Sequence, residues 1–353
     1  MEKTIRIGLA GYGRSGRDIH ANYLKTDPRF RIVAVADALP ERREDAVKEL
    51  GCAVYNDFHE LLDAGGFDLF VNATPSRFHA EAVRLGLQRF PAVAEKPIAP
   101  NLAEFDRLLA VSRETGHALY PFQNSRFYPH YRKVHEIVDS GILGQIMCVR
   151  LNYGGFARRW DWQTRQDQLG GNLYNTGPHP LDQAILFFGE SMPKVFCSMA
   201  AYHWGLGGDA NNFCALTLYG ENAPTVEVAV SSFQAYPQGE LVNIQGTLGG
   251  LTSSFDTVRW KFFDPAKAPK QTFWKPWSDN RQYCGETLPW TEMSCSFGSQ
   301  TDFFTLAIGG FYNHLHDVIE GKADFEIKLD QVRRQVAVLE EAHRQNPLPK
   351  KEL

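Results

Sequence analysis

The chain has 353 residues, of which 43% are hydrophobic and 22% charged, and its formal net charge is −4. This length predicts two domains, and this composition is typical of a soluble globular protein. Lysine and arginine are not clustered, and no apolar run reaches the ~20 residues that span a bilayer. Neither a nucleic-acid partner nor a membrane partner is therefore expected.

The beginning of the chain and its cysteines predict a cytoplasmic protein. A strand is predicted almost at the first residue, which leaves no room for a signal peptide. The six cysteines lack the spacing of a zinc site, as expected for idle thiols in a reducing compartment. His314 and His316 lie two apart on a predicted helix, where they do not share a face, so no metal site is expected.

The first third of the chain alternates between strand-like and helix-like segments. Strands are expected at 4–10, 31–36, 67–72, 91–95 and 118–122, with a short one near 52–55. Helices are expected at 15–26, 40–50, 57–64, 76–89 and 101–115. This alternation predicts an α/β fold with a parallel sheet covered by helices on both faces.

The turn after the first predicted strand fits the pattern G-x-G-x-x-G with Gly11, Gly13 and Gly16. The first glycine permits the tight turn, the second lets the backbone approach a pyrophosphate, and the third lets helix and strand pack closely. The phosphates would then meet the free N–H groups of the helix N-terminus. We therefore assign residues 1–123 to an NAD(P)-binding Rossmann domain.

Asp37 follows the second predicted strand, near the ~20-residue offset of an acid that binds the adenosine ribose. Its carboxylate would accept from the ribose 2′-hydroxyl and repel a 2′-phosphate, so NAD is the expected cofactor. Arg42 and Arg43 could weaken this preference by folding back over the ribose, so NADP stays possible.

Polar residues at the strand ends are candidate site residues, because ligands of such sheets bind beyond the carboxyl ends of the strands. The expected cofactor contacts are Gly11, Tyr12, Gly13, Arg14, Ser15, Gly16, Asp37, Thr74, Pro75, His79, Glu95, Lys96, Gln123 and Asn124, joined by Trp162 from the second half. Lys96 and Arg126 are also expected to contact the substrate.

From residue 124 onward, alternating apolar runs separated by turn residues predict a largely antiparallel sheet. Strands are expected at 146–153, 213–219, 225–231, 241–245 and 258–263, and helices at about 172–188, 301–319 and 330–344. The stretch 264–300, with many Pro, Trp, Ser and Gly residues, is expected to form a long ordered loop. Residues 124–353 are therefore assigned to a second, α+β domain with an open sheet.

Two segments of the second domain carry candidate substrate contacts. Residues 158–165 interleave aromatic, cationic and amide side chains, which suits stacking on a sugar or a nicotinamide ring. Residues 170–182 cluster glycine, proline and polar residues. The candidate substrate contacts in and near these segments are Tyr153, Trp160, Trp162, Tyr174, Asn175 and His179.

The order and spacing of these motifs resemble the glucose–fructose oxidoreductase/inositol dehydrogenase (Gfo/Idh/MocA) family along most of the chain. The similar stretches are GLAGYGRSG at 8–16, NATPSRFH at 72–79, AEKP at 94–97, QNSRF at 123–127, DWQ at 161–163, GGNLYNTGPHPLD at 170–182 and GTLG at 246–249. The chain departs from the family pattern at Ser76, where Asn is usual, at Gln163, where Arg is usual, and at Asn175, where Asp is usual.

The resemblance implies a Rossmann domain followed by a substrate-binding domain whose open sheet joins subunits into a homodimer or homotetramer. It implies hydride transfer between the nicotinamide and a secondary alcohol of a sugar, glycoside or cyclitol. It assigns the catalytic roles to Lys96 and His179, with Asn175 in place of their usual acidic neighbour. Lys96 could polarise the substrate oxygen, and His179 has a suitable intrinsic pKa for taking the proton.

Two alternatives remain open from the sequence. The same site could oxidise a glycoside transiently, cleave it by elimination or hydrolysis, and recycle the cofactor. The chain could instead be a nucleotide-sensing regulator without catalysis, as the departures at Asn175 and Gln163 would allow. Two local expectations also follow: a cis Lys96–Pro97 bond, and a His179 pKa near ~6.5 because Asn175 carries no charge.

Overall fold

The computed structural model describes residues 4–236, 239–271, 285–298 and 302–351. Its first sheet has six parallel strands in the order β3-β2-β1-β4-β5-β6, as the predicted Rossmann domain requires. The strands are β1 Ile5–Ala10, β2 Phe30–Ala36, β3 Ala53–Tyr55, β4 Leu69–Asn72, β5 Ala92–Ala94 and β6 Leu119–Pro121. All six predicted strands of this half are confirmed, with the last two shorter than expected.

Helices connect these strands. After the glycine turn a wide π-type helix runs over Arg14–Ala21 and continues as a short α1, Asn22–Leu24, where the sequence predicted one regular helix. The others are α2 Pro40–Leu50, α3 Phe58–Ala64, α4 His79–Leu87 and α5 Leu102–Thr115. Side-chain caps start two of them: Asp57 accepts from the backbone N–H groups of α3, and Asn101 from that of Glu104 in α5.

The second sheet has eight strands in the order β14-β13-β12-β11-β7-β10-β9-β8. They are β7 Ile146–Gly154, β8 Lys194–Ala200, β9 Phe213–Tyr219, β10 Thr225–Ser231, β11 Val242–Gly246, β12 Gly249–Ser253, β13 Thr257–Phe263 and β14 Trp290–Ser296. Strands β7 and β10 run parallel, whereas the other neighbouring pairs run antiparallel. The predicted mainly antiparallel sheet is confirmed.

Strands β8, β12 and β14 were not predicted from the sequence, and β14 lies where a loop was expected. The prediction of a loop over 264–300 is wrong at its end, because Trp290–Ser296 pairs with β13 as an edge strand. Its side chains are mostly exposed, so it lacks the alternation that marks a half-buried strand. Residues 272–284 of the predicted loop lie outside the described ranges.

The helices of the second half are α6 Pro129–Asp139, α7 Asn172–Asn175, α8 Pro178–Leu186, α9 Phe303–Ile319 and α10 Leu329–Gln345. The single helix predicted over 172–188 is two, because Pro178 has no N–H to continue α7 and instead occupies the first turn of α8. In the described ranges no helix combines the length and the apolar character needed to cross a bilayer.

The C-terminal helices return to the first domain. Ile308, Phe311, Tyr312 and Leu315 of α9 are buried in the same core as the Rossmann strands. Helix α10 enters both cores. Its Val332 and Val336 pack in the first, and its later residues Val338, Leu339 and Ala342 pack in the second. The Rossmann core is therefore completed by residues far along the chain.

We expect Phe311→Ala to destabilise the whole chain by about 3–5 kcal/mol, the usual effect of emptying a buried aromatic site. Phe311 is fully buried, and its ring centroid lies 4.6 Å from that of Phe122 at the end of the Rossmann sheet. Urea unfolding measures the change. Phe304→Ala, at an exposed position of the same helix, is the control and should change stability by less than about 1 kcal/mol. Equal losses in the two variants would contradict the shared core.

Candidate active site

The glycine turn has the close contacts that a dinucleotide-binding loop requires. Gly11 has φ +91°, and a Cβ there would lie 2.3 Å from the carbonyl oxygen of Ala73. A Cβ on Gly16 would lie 1.8 Å from the carbonyl oxygen of Gly11, so helix and strand touch here. Near Gly13 the closest group is the Arg42 guanidinium, 3.2 Å from an ideal Cβ. The turn thus fits a pyrophosphate held by backbone N–H groups.

Asp37 lies at the end of β2, as predicted, with its carboxylate fixed by the backbone. Its Oδ2 accepts from the backbone N–H of Tyr12 at 2.8 Å, and its Oδ1 accepts from that of Leu39 at 3.0 Å. Arg42 approaches Oδ2 at 3.4 Å. Arg43 instead donates to the carbonyl oxygens of Asp37 and Ala38. One arginine therefore stands beside the acid that is expected to meet the ribose.

Tyr12 contributes to the turn through its backbone. Its side chain is buried, and its hydroxyl donates to Glu49 of α2 at 2.8 Å. Arg17, on the helix after the turn, donates from Nε to both oxygens of the same carboxylate. The Tyr12 ring is thus committed to holding the turn against α2. Arg14 is exposed and Ser15 half-buried at the start of that helix.

His79 joins two loops of the site. Its Nδ1 lies 2.8 Å from the carbonyl oxygen of Pro97, and its Nε2 lies 2.7 Å from that of Thr74. The ring is buried, and burial lowers its pKa. Neither ring nitrogen is left for a cofactor, so His79 braces the loops after β4 and β5 instead of making the expected cofactor contact. Pro75 precedes a short helical turn in the first of these loops.

Glu95 is likewise turned into the protein. One carboxylate oxygen accepts from the backbone N–H of Lys96 at 3.0 Å, and the other lies 3.4 Å from Nε2 of His20. His20 Nδ1 lies 2.7 Å from the hydroxyl of Tyr312 on α9. Burial acts to raise the pKa of Glu95, but the hydrogen bond and charge of His20, with the charge of Lys96, lower it to about 2. Glu95 is therefore an anion behind Lys96.

Lys96 and His179 come together where the two domains meet. The Lys96–Pro97 bond is cis, as predicted. The ammonium of Lys96 donates to the backbone carbonyl of Asn175, at the end of α7, at 2.7 Å. Burial lowers the pKa of Lys96, and the charges of Arg14 and Arg159 act in the same direction against Glu95.

His179 is more strongly shifted than the sequence predicted. Burial first, and then the positive charge of Lys96, lower its pKa to about 3, so the expected value near ~6.5 is wrong. Its Nδ1 is buried without a hydrogen-bond partner. The contact that Asn175 makes with Lys96 is through its main-chain carbonyl oxygen and not through its side chain. His179 is consequently a neutral imidazole at the pH of a cell.

Arg126 does not reach a substrate as expected. It forms a bidentate ion pair with Asp182 of α8, with distances of 2.6 and 2.7 Å, and the two side chains are only 3% and 1% exposed. Gln331 of α10 accepts from the remaining arm of the guanidinium. Arg126 is therefore a structural residue that holds α8, and with it His179, against the Rossmann rim.

Two other residues of this rim are buried as well. Gln123 donates to Gln335 of α10 at 2.9 Å, and Gln335 in turn donates to the carbonyl of Pro178 at the start of α8. Asn124 is buried beside it. His20 and Gln335 were not predicted, because nothing in their helices marks them and only their neighbours in space reveal their contacts.

The aromatic candidates divide into exposed and anchored residues. Trp160 is 76% exposed and Trp162 is 41% exposed. Both lie on the segment before the helical turn Gln166–Gln168, and that turn contacts the loop after β4. Tyr153 accepts from the Gln183 side chain of α8 at 2.9 Å. Tyr174 is buried, stacks on His343 and donates to the carbonyl of Pro100, so it offers no free face to a sugar.

Comparison with known proteins defines the class of protein. Residues 5–122 match the model of an oxidoreductase family with an NAD-binding Rossmann fold, and residues 131–252 match the model of the GFO/IDH/MocA C-terminal domain. Together the matches span more than half of the chain. The chain belongs to the Gfo/Idh/MocA family of NAD-binding oxidoreductases, as its motifs indicated.

Curated relatives within this family include inositol dehydrogenases. Inositol 2-dehydrogenase of Rhizobium meliloti is 27% identical and aligns over 71% of this chain and 76% of its own length. Myo-inositol 2-dehydrogenase of Thermotoga maritima is 28% identical over 72% of this chain and 76% of its own length.

Solved structures share the fold over the whole chain. An NAD-binding protein from Listeria innocua has a TM-score of 0.79 over 99% of this chain and 100% of its own, at 19% identity. The WlbA dehydrogenase of Bordetella pertussis, solved with NADH and UDP-GlcNAcA, has a TM-score of 0.77 over the same shares, also at 19% identity.

We expect Arg126→Leu to lower the free energy of unfolding by about 3–5 kcal/mol, because Asp182 is then left as an unpaired buried charge. The matched control is Arg132→Leu, which breaks an exposed pair with Glu326 and should change stability by at most about 1 kcal/mol. Chemical denaturation of both variants gives the comparison. Near-native stability of Arg126→Leu would contradict the structural role of this pair.

Proposed function

We propose that this oxidoreductase transfers a hydride between NAD and a secondary alcohol of a sugar, glycoside or cyclitol. The observation that carries the proposal is the hydrogen bond from Lys96, at a Rossmann strand end, to Asn175 beside His179. It brings a half-buried lysine and a neutral imidazole to the edge of the sheet where such domains bind their ligands. Relatives named for inositol and for a nucleotide sugar agree with a polyhydroxylated substrate.

Bound NAD would accept the hydride, and the chain would manage the charge and the proton. Lys96 would donate a hydrogen bond to the substrate oxygen and stabilise the negative charge that develops there. His179, neutral because burial and Lys96 disfavour its protonation, has a lone pair free to take the hydroxyl proton. Glu95 would balance the charge of Lys96 from behind.

We further infer that the outer face of the second sheet joins two copies of the chain. Its side chains include Arg150, which pairs with Glu227 on the neighbouring strand, and exposed aromatic groups such as Phe196 and Trp290. A shallow cleft of about 890 Å³ lies over β11 to β14 on this sheet. Light scattering measures the molecular mass of the purified chain in solution. A mass of one chain would contradict this inference.

Replacing Lys96 tests the proposed chemistry. We expect Lys96→Met to lower kcat by ~10²–10⁴ on whichever sugar or cyclitol reduces NAD fastest, because the transition state loses its cationic donor. Calorimetric binding of NADH should change little, since the glycine turn and Asp37 would supply most of the contacts to the nucleotide. Lys48→Met, at an exposed site on α2, is the control.

The outcomes of this test separate the alternatives. Tight NADH binding without turnover of any polyol by the parent protein would favour a nucleotide-sensing regulator. Glycoside cleavage without net NADH formation would favour the cofactor-recycling enzyme. Loss of NADH binding in Lys96→Met would show that Lys96 holds the nucleotide and would contradict the proposed role.

Cofactor choice follows from Asp37. We expect a higher kcat/KM with NAD than with NADP, and we expect Asp37→Asn to shift the ratio towards NADP by on the order of tenfold, or 1.4 kcal/mol. Asparagine keeps an acceptor for the Tyr12 N–H but removes the charge, which leaves Arg42 to attract a 2′-phosphate. Asp45→Asn, on exposed α2, should leave the ratio unchanged. A parent enzyme that prefers NADP would overturn this expectation.

A further inference from the structure

Four aromatic side chains gather on loops at one end of the second sheet. We call Phe156, Tyr202, Trp204 and Phe233 the aromatic shelf. They lie on the segments that follow β7, β8 and β10, and Phe156 and Phe233 form an isolated antiparallel bridge. None of these four residues is among the predicted sugar contacts, so this group has no role in the chemistry above.

Trp204 is the centre of the shelf. Its ring centroid lies 5.2 Å from that of Phe233, 5.6 Å from that of Tyr202 and 6.0 Å from that of Phe156. The Arg158 guanidinium lies 5.7 Å from the same ring. Such spacings are those of favourable aromatic and cation–π pairs, so the rings support one another.

Two of the four rings are exposed, whereas Trp204 and Phe233 are half-buried, and the backbone beneath them is anchored. Phe156 is 58% exposed and Tyr202 is 61% exposed. Next to Trp204, the buried His203 lies 2.7 Å from the carbonyl oxygen of Ala210. Trp204 itself has φ +50°, in the left-handed region that bulky residues seldom adopt. Residues held in this sparsely populated region cluster at functional sites.

A short series of hydrogen bonds and helix residues connects the shelf to the candidate active site. Ser232, which precedes Phe233, accepts at 3.0 Å from the Asn172 side chain at the start of α7. The last residue of α7 is Asn175, whose carbonyl accepts from Lys96. Three steps along a helix advance about 5 Å. The residue before Phe233 is therefore linked to the Lys96 contact through one hydrogen bond and the length of α7.

We propose that the aromatic shelf binds the second ring of the substrate, the ring joined to the oxidised sugar through its glycosidic oxygen. This rests on the proposed function and narrows its substrate from polyols in general to glycosides. A sugar or aryl ring presents an apolar face that stacks on aromatic side chains, and Arg158 is placed to donate to its hydroxyl groups. Four rings are also far fewer than the roughly 20–30 residues that each side of a stable protein interface contributes.

The experiment compares substrates that share the oxidised ring and differ only in the second one. Methyl β-glucoside, phenyl β-glucoside and cellobiose, with the corresponding galactosides and lactose, are assayed with NAD. We expect KM for the phenyl glycosides or the disaccharides to be about tenfold below that for the methyl glycosides, with similar kcat, since one stacking contact contributes up to about 1.5 kcal/mol. The two types of second ring show whether a sugar or an aromatic aglycone is preferred.

Variants locate the effect. Trp204→Ala and Tyr202→Ala should each raise KM about tenfold for the two-ring substrates, on the same stacking estimate, and leave that for methyl glycosides unchanged. Tyr219→Ala is the matched control, because this exposed tyrosine lies at the other end of β9. Equal KM values for one-ring and two-ring substrates in the parent, or equal losses for both in the variants, would overturn the proposal. A change in the molecular mass of the variants would also overturn the proposal, because it would show that the shelf is a contact between subunits.

The experiments distinguish a wrong assignment of the shelf from a wrong assignment of the reaction. If no sugar is oxidised, the proposed function fails, and the shelf is judged by calorimetric binding of phenyl β-glucoside and methyl β-glucoside to the protein with NADH. Tighter binding of the phenyl compound that is lost in Trp204→Ala supports the shelf. Equal binding of the two, or no binding of either, overturns it.

Discussion

The ion pair between Arg126 and Asp182 fixes the geometry on which the site depends. Removing two charges from water is costly, and a bidentate arrangement with a further acceptor on Gln331 is the geometry that compensates for it. The pair joins the rim of the Rossmann sheet to α8, the helix that carries His179. The helix that carries the proposed proton acceptor is thus positioned by a buried ion pair.

Charge at the site is arranged around one lysine. Glu95, buried behind Lys96 and close to His20, is the anion whose charge acts to raise the pKa of the half-buried Lys96 against the effect of burial. On the other side, the same ammonium disfavours protonation of His179. The proposed roles of cation and proton acceptor would therefore be separated by environment and not by residue type, since an isolated histidine titrates near neutral pH.

Much of the fold could be predicted from the sequence, because strands, turns and glycines of the first domain leave strong local patterns. The site was less predictable. Arg126, His79 and Glu95 have the residue types of ligand contacts, yet each has a partner from another segment, namely Asp182, the carbonyl of Pro97 and His20. Edge strand β14 was not predicted, because its residues are mostly exposed and show no alternation of apolar and polar side chains. Local patterns report burial along an element, whereas the direction of a polar side chain depends on what tertiary packing brings beside it.

Helix α10 has a mechanical consequence for ligand entry. Because successive turns of one continuous helix are buried in both cores, the two domains cannot swing apart as hinged bodies without bending that helix or extracting its apolar face. Wide opening of the cleft would therefore oppose the packing of both cores at once. The segment that carries Trp160 and Trp162, between the second sheet and the loop after β4, belongs to neither of these two cores. A ligand that needs more room would therefore be admitted by displacement of this rim segment and not by separation of the domains.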